Sequence, residues 1–339
     1  MNLYYSVIEH NFDTAGLTKI LNEAIQKQAN KITILSETEW EIPHLTKDVV
    51  DKFKANNIDI KIVYCSNYDD YYKKLLPEIG LTIDNVEFWG TYWLSWSLQN
   101  LKYVNEYTNP TLDPDKFKYS FISLNNRSHL HRCYFIEEMA KNNLIDKGVV
   151  TWVKHLNENS DFPYQYFDNR QILLDDDFKT KLDSFMLPKE FNQSLFHVVV
   201  EATHQTILLS EKTAIPIFLK KPFFVLSAPG FHKYLLSLGY KLYDELIDYS
   251  FDEITDLKLR TEKFVSNIPK LINLNLKDTY ELLRPKIEYN YNRTIEIIHD
   301  ANYIPKMIQD RYYLNKKQNQ LPYMADTRYD MFMKWCTND

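Results

Sequence analysis

The chain has 339 residues, 45% hydrophobic and 25% charged, an ordinary globular composition long enough for a sizeable core and, by length, for two domains. Its net charge of -6 excludes a general attraction to phosphate backbones or anionic lipid, so a nucleic-acid role needs a local basic patch. The three cysteines form no CxxC pair, which excludes a disulfide framework and a structural zinc site and predicts a reducing, cytoplasmic setting.

The opening MNLYYSVIEHNFDTAG lacks the basic stretch and long apolar core of a signal peptide. Nowhere do about 18 uncharged apolar residues run together, so no membrane span is expected. Residues 3–8 read as a strand, 14–29 as an amphipathic helix with Leu17, Ile20, Leu21, Ala24 and Ile25 on one face, and 31–35 as a strand. A helix over 46–55, a strand over 58–64 and a helix over 69–79 continue the alternation, which implies a parallel sheet covered on both faces. This is a Rossmann-like half without a glycine fingerprint. Next comes FWGTYWLSWSLQ, where Trp89, Trp93 and Trp96 recur at helical spacing. Burial explains them first; a stacking platform for a sugar or base is the sharper alternative.

Between Tyr103 and Lys118 the prolines, Asn and Asp of VNEYTNPTLDPDKFK mark a linker. A second alternation follows: strand 119–124, helix 131–142, strand 149–153, an irregular acidic region over 157–192, strand 195–200, a helix near 212–219 and strand 223–226. Helical patterns resume from Pro229 and dominate after Phe251, and the apolar Met331, Phe332, Met333 and Trp335 suggest an anchored tail. The domains expected are residues 1–110, 111–290 and a helical tail, 291–339, packing back on the first. In open sheets of this kind ligands sit at the carboxyl ends of the strands.

Two segments carry the chemistry. FISLNNRSHLHRCYFIEEM sets Asn125, Asn126, Arg127 and Arg132 between a strand and a helix, where backbone N–H groups and guanidinium forks can neutralise a diphosphate. The plain alternative is a surface loop with solvated arginines. VVVEATHQTILLSEKTAIPIFLKKPFF places Glu201 at a strand's carboxyl edge, where a carboxylate can accept hydroxyl protons. Glu211 and Lys212 then open a helix that Pro216 interrupts or redirects. Here the plain alternative is a capped surface helix, with Ser210 and Thr213 suiting its start and Glu211 favouring the dipole.

The order Glu201-Ala202-Thr203, Ser210-Glu211-Lys212-Thr213, Pro216-Ile217, Lys221-Pro222-Phe223 and Pro229-Gly230, with Asn125-Asn126-Arg127 and His131-Arg132 upstream, resembles the donor-binding domain of fucosyltransferase-like glycosyltransferases and their phage relatives. The resemblance spans roughly residues 119 to 260. It implies a GT-B fold of two Rossmann-like domains facing across a cleft, with C-terminal helices and the nucleotide sugar held by the second domain. It also implies Asn125, Arg127 and Arg132 on the diphosphate, Glu201 on ribose or sugar hydroxyls, Lys212 on a phosphate, and Glu211 supporting that loop. The sequence departs from the family at Thr203-His204, where Asn-Ser is frequent, and at Ser210, where Thr is commoner.

Glycosyl transfer passes through an oxocarbenium-like centre while the diphosphate leaves, so without a metal the arginines, the lysine and helix N-termini must stabilise the leaving charge. A base from the other domain must take the acceptor proton. Glu9 and His10, after the first strand, are preferred over Glu37 and Glu39. The expected activity is transfer from a nucleoside-diphosphate sugar to a glycan or to a hydroxymethylated base of phage DNA, without metal or other cofactor. The alternative is a non-catalytic nucleotide-sugar or glycan-binding module. The 25 Tyr beside six Gly suggest an AT-rich coding genome, as in many phages. Asp113 and Asp115 match a DxD pair but fall in the linker, Asp175-Asp176-Asp177 reads as a solvated turn, and His129 with His131 fits a loop better than zinc. No GxSxG elbow or GxxxxGK[ST] loop occurs.

Overall fold

The computed structural model describes residues 2–8, 14–37, 45–103, 112–153, 162–174, 187–306 and 308–309. Their backbone is mixed α/β, with two separate parallel sheets and many helices. The chain divides into two compact units, Met1–Trp96 with Glu296–Asp339, and Ser97–Ile295. Among the described residues no helix is long and apolar enough to cross a membrane.

The first unit runs β1 (Asn2–Ile8), α1 (Thr14–Gln26), β2 (Lys31–Glu37), α2 (Lys47–Ala55), β3 (Asp59–Tyr64), α3 (Asp70–Glu78), β4 (Val86–Phe88) and into α4 (Tyr92–Tyr103). Local chemistry fixes the helix starts: Thr46 accepts the Val49 N–H at 3.4 Å, and Asp69 accepts those of Tyr71 and Tyr72 at 3.0 and 3.3 Å. Leu17 and Leu21 of α1, Val50 and Phe53 of α2, and Tyr72 and Leu76 of α3 share one core with Ile32, Ile34, Ile60 and Ile62. These strand residues alternate in sequence, so all three helices cover the same face of the sheet. Burying each Leu or Phe contributes about 1.5–3 kcal/mol.

The strand order is β1-β2-β3-β4. Right-handed crossovers that all step the same way put their helices on one face and create no strand reversal within this sheet. β4 was absent from the sequence reading because three residues are too few to display a period. Trp89 and Trp93 are buried, and the Trp93 indole donates to the Cys65 carbonyl at 3.2 Å, which favours packing over the platform reading for both.

The second unit contains β5 (Tyr119–Ser123), α5 (Leu130–Lys141), β6 (Val149–Val150), α6 (Lys189–Asn192), β7 (Ser194–Val200), α7 (Glu211–Phe218), β8 (Phe223–Leu226), α8 (Phe231–Ser237), α9 (Leu257–Val265), α10 (Ile268–Ile272) and most of α11 (Leu276–His299). Its sheet has the order β6-β5-β7-β8, all parallel. Every residue of β7 is buried, as the unbroken apolar run of a strand covered on both faces requires. Gly148 lets β6 approach β5, since a Cβ there would stand 2.6 Å from the Phe121 ring.

After β8 the chain turns through Gly230 at φ 81°, a conformation that favours glycine. The Asp252 carboxylate fixes the turn by accepting the N–H groups of His232 and Lys233 at 3.0 and 3.1 Å and the His232 Nδ1–H at 2.8 Å. His232 Nε2 accepts the Val225 N–H at 3.3 Å, so this ring is the neutral Nδ1–H tautomer. Pro216 does not break α7, which runs on to Phe218. The proline forgoes only its own bond to the Lys212 carbonyl, and Leu219 N–H to Ile215 O at 2.9 Å and Lys221 N–H to Pro216 O at 2.8 Å close the last turn.

Candidate functional site

β5 and β7 are neighbours, but the chain leaves β5 toward β6 on one side and leaves β7 toward β8 on the other. Such a reversal opens a crevice at the carboxyl ends of the two strands, the place where open α/β sheets bind ligands. Asn125, Arg127 and Arg132 lie on the segment leaving β5, and Glu201, Glu211 and Lys212 on the segment leaving β7. The topology therefore brings all six to one edge of one sheet.

Their side chains divide into a buried frame and an outer pair. Glu201 is fully buried. Its Oε2 accepts the Ala202 N–H at 2.7 Å and the Ser210 hydroxyl at 2.5 Å, while Oε1 accepts the Ser210 N–H at 3.1 Å and the Thr213 hydroxyl at 2.6 Å. A carboxylate offers about four lone-pair directions, so this one is saturated by the protein's own donors. The sequence reading turned Glu201 toward sugar hydroxyls; the geometry makes it a clamp fastening the end of β7 to the start of α7. Ser210 also caps α7 by accepting the Lys212 N–H at 3.2 Å.

Arg132 was likewise expected on a diphosphate, yet it is 2% exposed and turned toward the sheet. Its Nη2 donates to the Val200 and Glu201 carbonyls at 3.3 and 3.1 Å, satisfying acceptors where the ladder of β7 ends. Beside it, His131 Nε2 lies 2.7 Å from the Glu201 carbonyl. Burial, then the Arg132 charge and His204, hold the His131 pKa well below the usual imidazole range. Two rings adjoin it, His129, parallel at 5.9 Å between centroids, and His204, tilted at 5.1 Å. Burial and then the Arg260 charge push His204 down to about 4. Asn125 is buried too, its N–H on the Thr151 hydroxyl at 2.9 Å and its Nδ2 on the Ser123 hydroxyl at 3.1 Å.

The outer pair is cationic. Arg127 is exposed. Lys212 keeps 26% of its side chain exposed, with Nζ 2.5 Å from the buried Glu211 carboxylate, which orients it. Both cations lie on segments that leave this edge of the sheet, where Glu201 and Arg132 hold the backbone.

Glu9, His10 and Glu39 lie outside the described residues, as do Asp175, Asp176, Asp177 and the side chain of Glu37. Asp113 and Asp115 serve a short helical turn: Asp113 accepts the Asp115 N–H at 3.1 Å and pairs with Lys116 at 3.2 Å, and Asp115 pairs with Lys277 at 2.6 Å. His129 stands at the N-cap position of α5, without a side-chain capping bond, and His131 stands in its first turn, not on a free loop. The sequence reading gave no role to His204 or to Arg260, whose Nη2 donates to the His204 carbonyl at 3.4 Å, because nothing local marks a side chain used by a distant segment. It quoted Lys221 only within the Lys-Pro-Phe piece; the side chain is buried near the rings of Phe191 and Phe117 and donates to the Ser194 carbonyl.

No protein-family model matches the chain, and no curated protein matches it. Among solved structures it is similar to a glycosyltransferase from Rickettsia africae ESF-5, with 12% identity and a TM-score of 0.33 over 83% of this chain and 78% of that one. It is also similar to an alpha1,3-fucosyltransferase, with 11% identity and a TM-score of 0.32 over 87% of this chain and 90% of that one.

Proposed function

We propose that the protein is a glycosyltransferase that takes a sugar from a nucleoside-diphosphate donor and delivers it to an acceptor hydroxyl. The observation that carries this reading is the pair of segments at the β5/β7 reversal, which presents Arg127 and Lys212 over a buried clamp of Glu201, Ser210 and Thr213. A diphosphate needs cations held on a rigid support, because charge accumulates on it as the glycosidic bond breaks. Lys212 and Arg127 supply that charge without a metal, and Asn125, Arg132, Glu201 and Glu211 position the segments that carry them. Glu9 or His10 takes the acceptor proton. The acceptor is a glycan or a hydroxymethylated base of phage DNA, and the reaction belongs in the cytoplasm.

Thermal unfolding with GDP-fucose, GDP-mannose, UDP-glucose and dTDP-rhamnose tests the reading. One of them at 100-fold its dissociation constant should add about 2.7 kcal/mol of stability. Lys212→Ala should abolish that gain; it also takes a cation from the buried Glu211 carboxylate, so the ligand-free midpoint should fall as well, and the gain is read against the variant's own ligand-free midpoint. Turnover of the stabilising donor should persist in EDTA. Unchanged donor affinity in Lys212→Ala contradicts the proposed pocket, and donor binding without transfer to any hydroxyl acceptor points to a binding module.

A further inference from the structure

The segment leaving β5 carries an unusual set of unanswered groups. His131 is 1% exposed, and its Nε2 faces a carbonyl oxygen at 2.7 Å, so Nε2 bears the proton. In the neutral ring Nδ1 is then a lone pair, and this buried atom has no hydrogen-bond partner among the described residues. Asn125 is fully buried, and with its Nδ2 committed to Ser123 its Oδ1 also has none among them. Asn126 Oδ1 is a third such atom on the same short stretch. All three are acceptors.

That polarity decides between ligand groups. A phosphate oxygen is itself an acceptor and cannot answer a lone pair, whereas a hydroxyl can donate to it. A buried acceptor without a donor forfeits its hydration outright, so a ligand that supplies the donor gains more than one at an open surface. Glu201, the residue expected to recognise hydroxyls, is already saturated by Ala202, Ser210 and Thr213.

We infer that the β5–α5 segment, through His131 Nδ1 and Asn125 Oδ1, recognises hydroxyl groups of the bound donor, ribose or transferred sugar, and leaves the diphosphate to Arg127 and Lys212. This rests on the donor-site reading above.

The test is side-chain ¹⁵N NMR of histidine-labelled protein with the four nucleotide sugars above, with GDP and UDP, with their 2′-deoxy forms, and with pyrophosphate. A nucleotide sugar should shift His131 Nδ1 from a free lone-pair resonance to a hydrogen-bonded one, with Nε2 still protonated. A shift by GDP or UDP that the 2′-deoxy forms fail to give assigns the contact to ribose; a shift by the nucleotide sugar alone assigns it to the transferred sugar. His131→Gln keeps a side-chain N–H for the Glu201 carbonyl but loses the Nδ1 acceptor. It should weaken nucleotide-sugar binding about tenfold and leave pyrophosphate binding unchanged. Protonation of Nδ1 by pyrophosphate overturns the inference, as does a hydrogen-bonded resonance in ligand-free protein that no probe moves, the mark of a bound water only. Donor stabilisation with no change at His131 sinks the inference and leaves the donor site standing. Absence of stabilisation by every nucleotide sugar sinks the donor site and the inference with it.

Discussion

Glu201 shows how one carboxylate can be legible as important and still be misread. Its position after an apolar strand announces a polar group at a sheet edge, and both a ligand contact and an internal clamp satisfy that pattern. The difference lies in whether donors from elsewhere reach it, here Ser210 and Thr213, nine and twelve residues later in sequence. Glu201→Gln separates the two roles. In either amide orientation one backbone N–H, of Ala202 or of Ser210, loses its acceptor. The variant should therefore lose about 2–3 kcal/mol and melt about 5–10 °C lower. A glutamine that melts like wild type while donor affinity collapses would restore the hydroxyl-contact role. Arg132 follows the same logic, since an arginine near a strand end serves equally well for an anion outside or for carbonyls inside, and burial chose the carbonyls.

α7 is where a short element carries a large consequence. Ser210 is bound twice, accepting the Lys212 N–H at 3.2 Å and donating to Glu201 at 2.5 Å, so the cap and the clamp share one oxygen. Ser210→Ala should cost about 1–2 kcal/mol and weaken donor binding through a displaced Lys212, and Ser210→Thr should restore both in urea unfolding and thermal-shift titration. A Ser210→Ala protein that keeps full donor affinity would show that the cap does not position the lysine. β7, α7 and β8 were readable because each has a clear signature: a buried apolar run, a serine cap before Glu-Lys, and a second apolar run bounded by Lys-Pro. β4 was not, because three residues display no period, whereas the helical spacing of Trp93 and Trp96 falls within α4. The alternation of strands and helices predicted parallel sheets, but strand order is set by crossover direction and leaves no local trace, so the reversal at β5/β7 came only from the structure.

At the scale of the whole molecule, the frame beneath the site is made of groups that stay neutral only while buried, and that ties stability to pH. His197 on β7 has its pKa pushed down to about 3 by burial and then by the Lys221 charge, and His204 beside Arg260 is pushed down to about 4. In the unfolded chain both return to about 6.5. Between those values the unfolded state binds more protons, so the stability present above about pH 6.5 drains away as pH falls toward 4 and then 3. For fully buried His197 the loss between about pH 7 and about pH 5 is about 2 kcal/mol, and solvent screening makes the share of partly open His204 smaller. His131 and Lys221, lowered chiefly by burial, act in the same direction. His197 packs its ring edge-on against Phe191 and its Nδ1 has no partner among the described residues, so phenylalanine can take its place without orphaning a described group. His197→Phe should be close to neutral near pH 7 and should cut the acid-side loss by about 2 kcal/mol in paired urea titrations near pH 7 and pH 5. If wild type and variant lose stability equally over that interval, His197 is not a source of the pH dependence, and the acid lability must sit with the histidines stacked at the β5–β7 crevice.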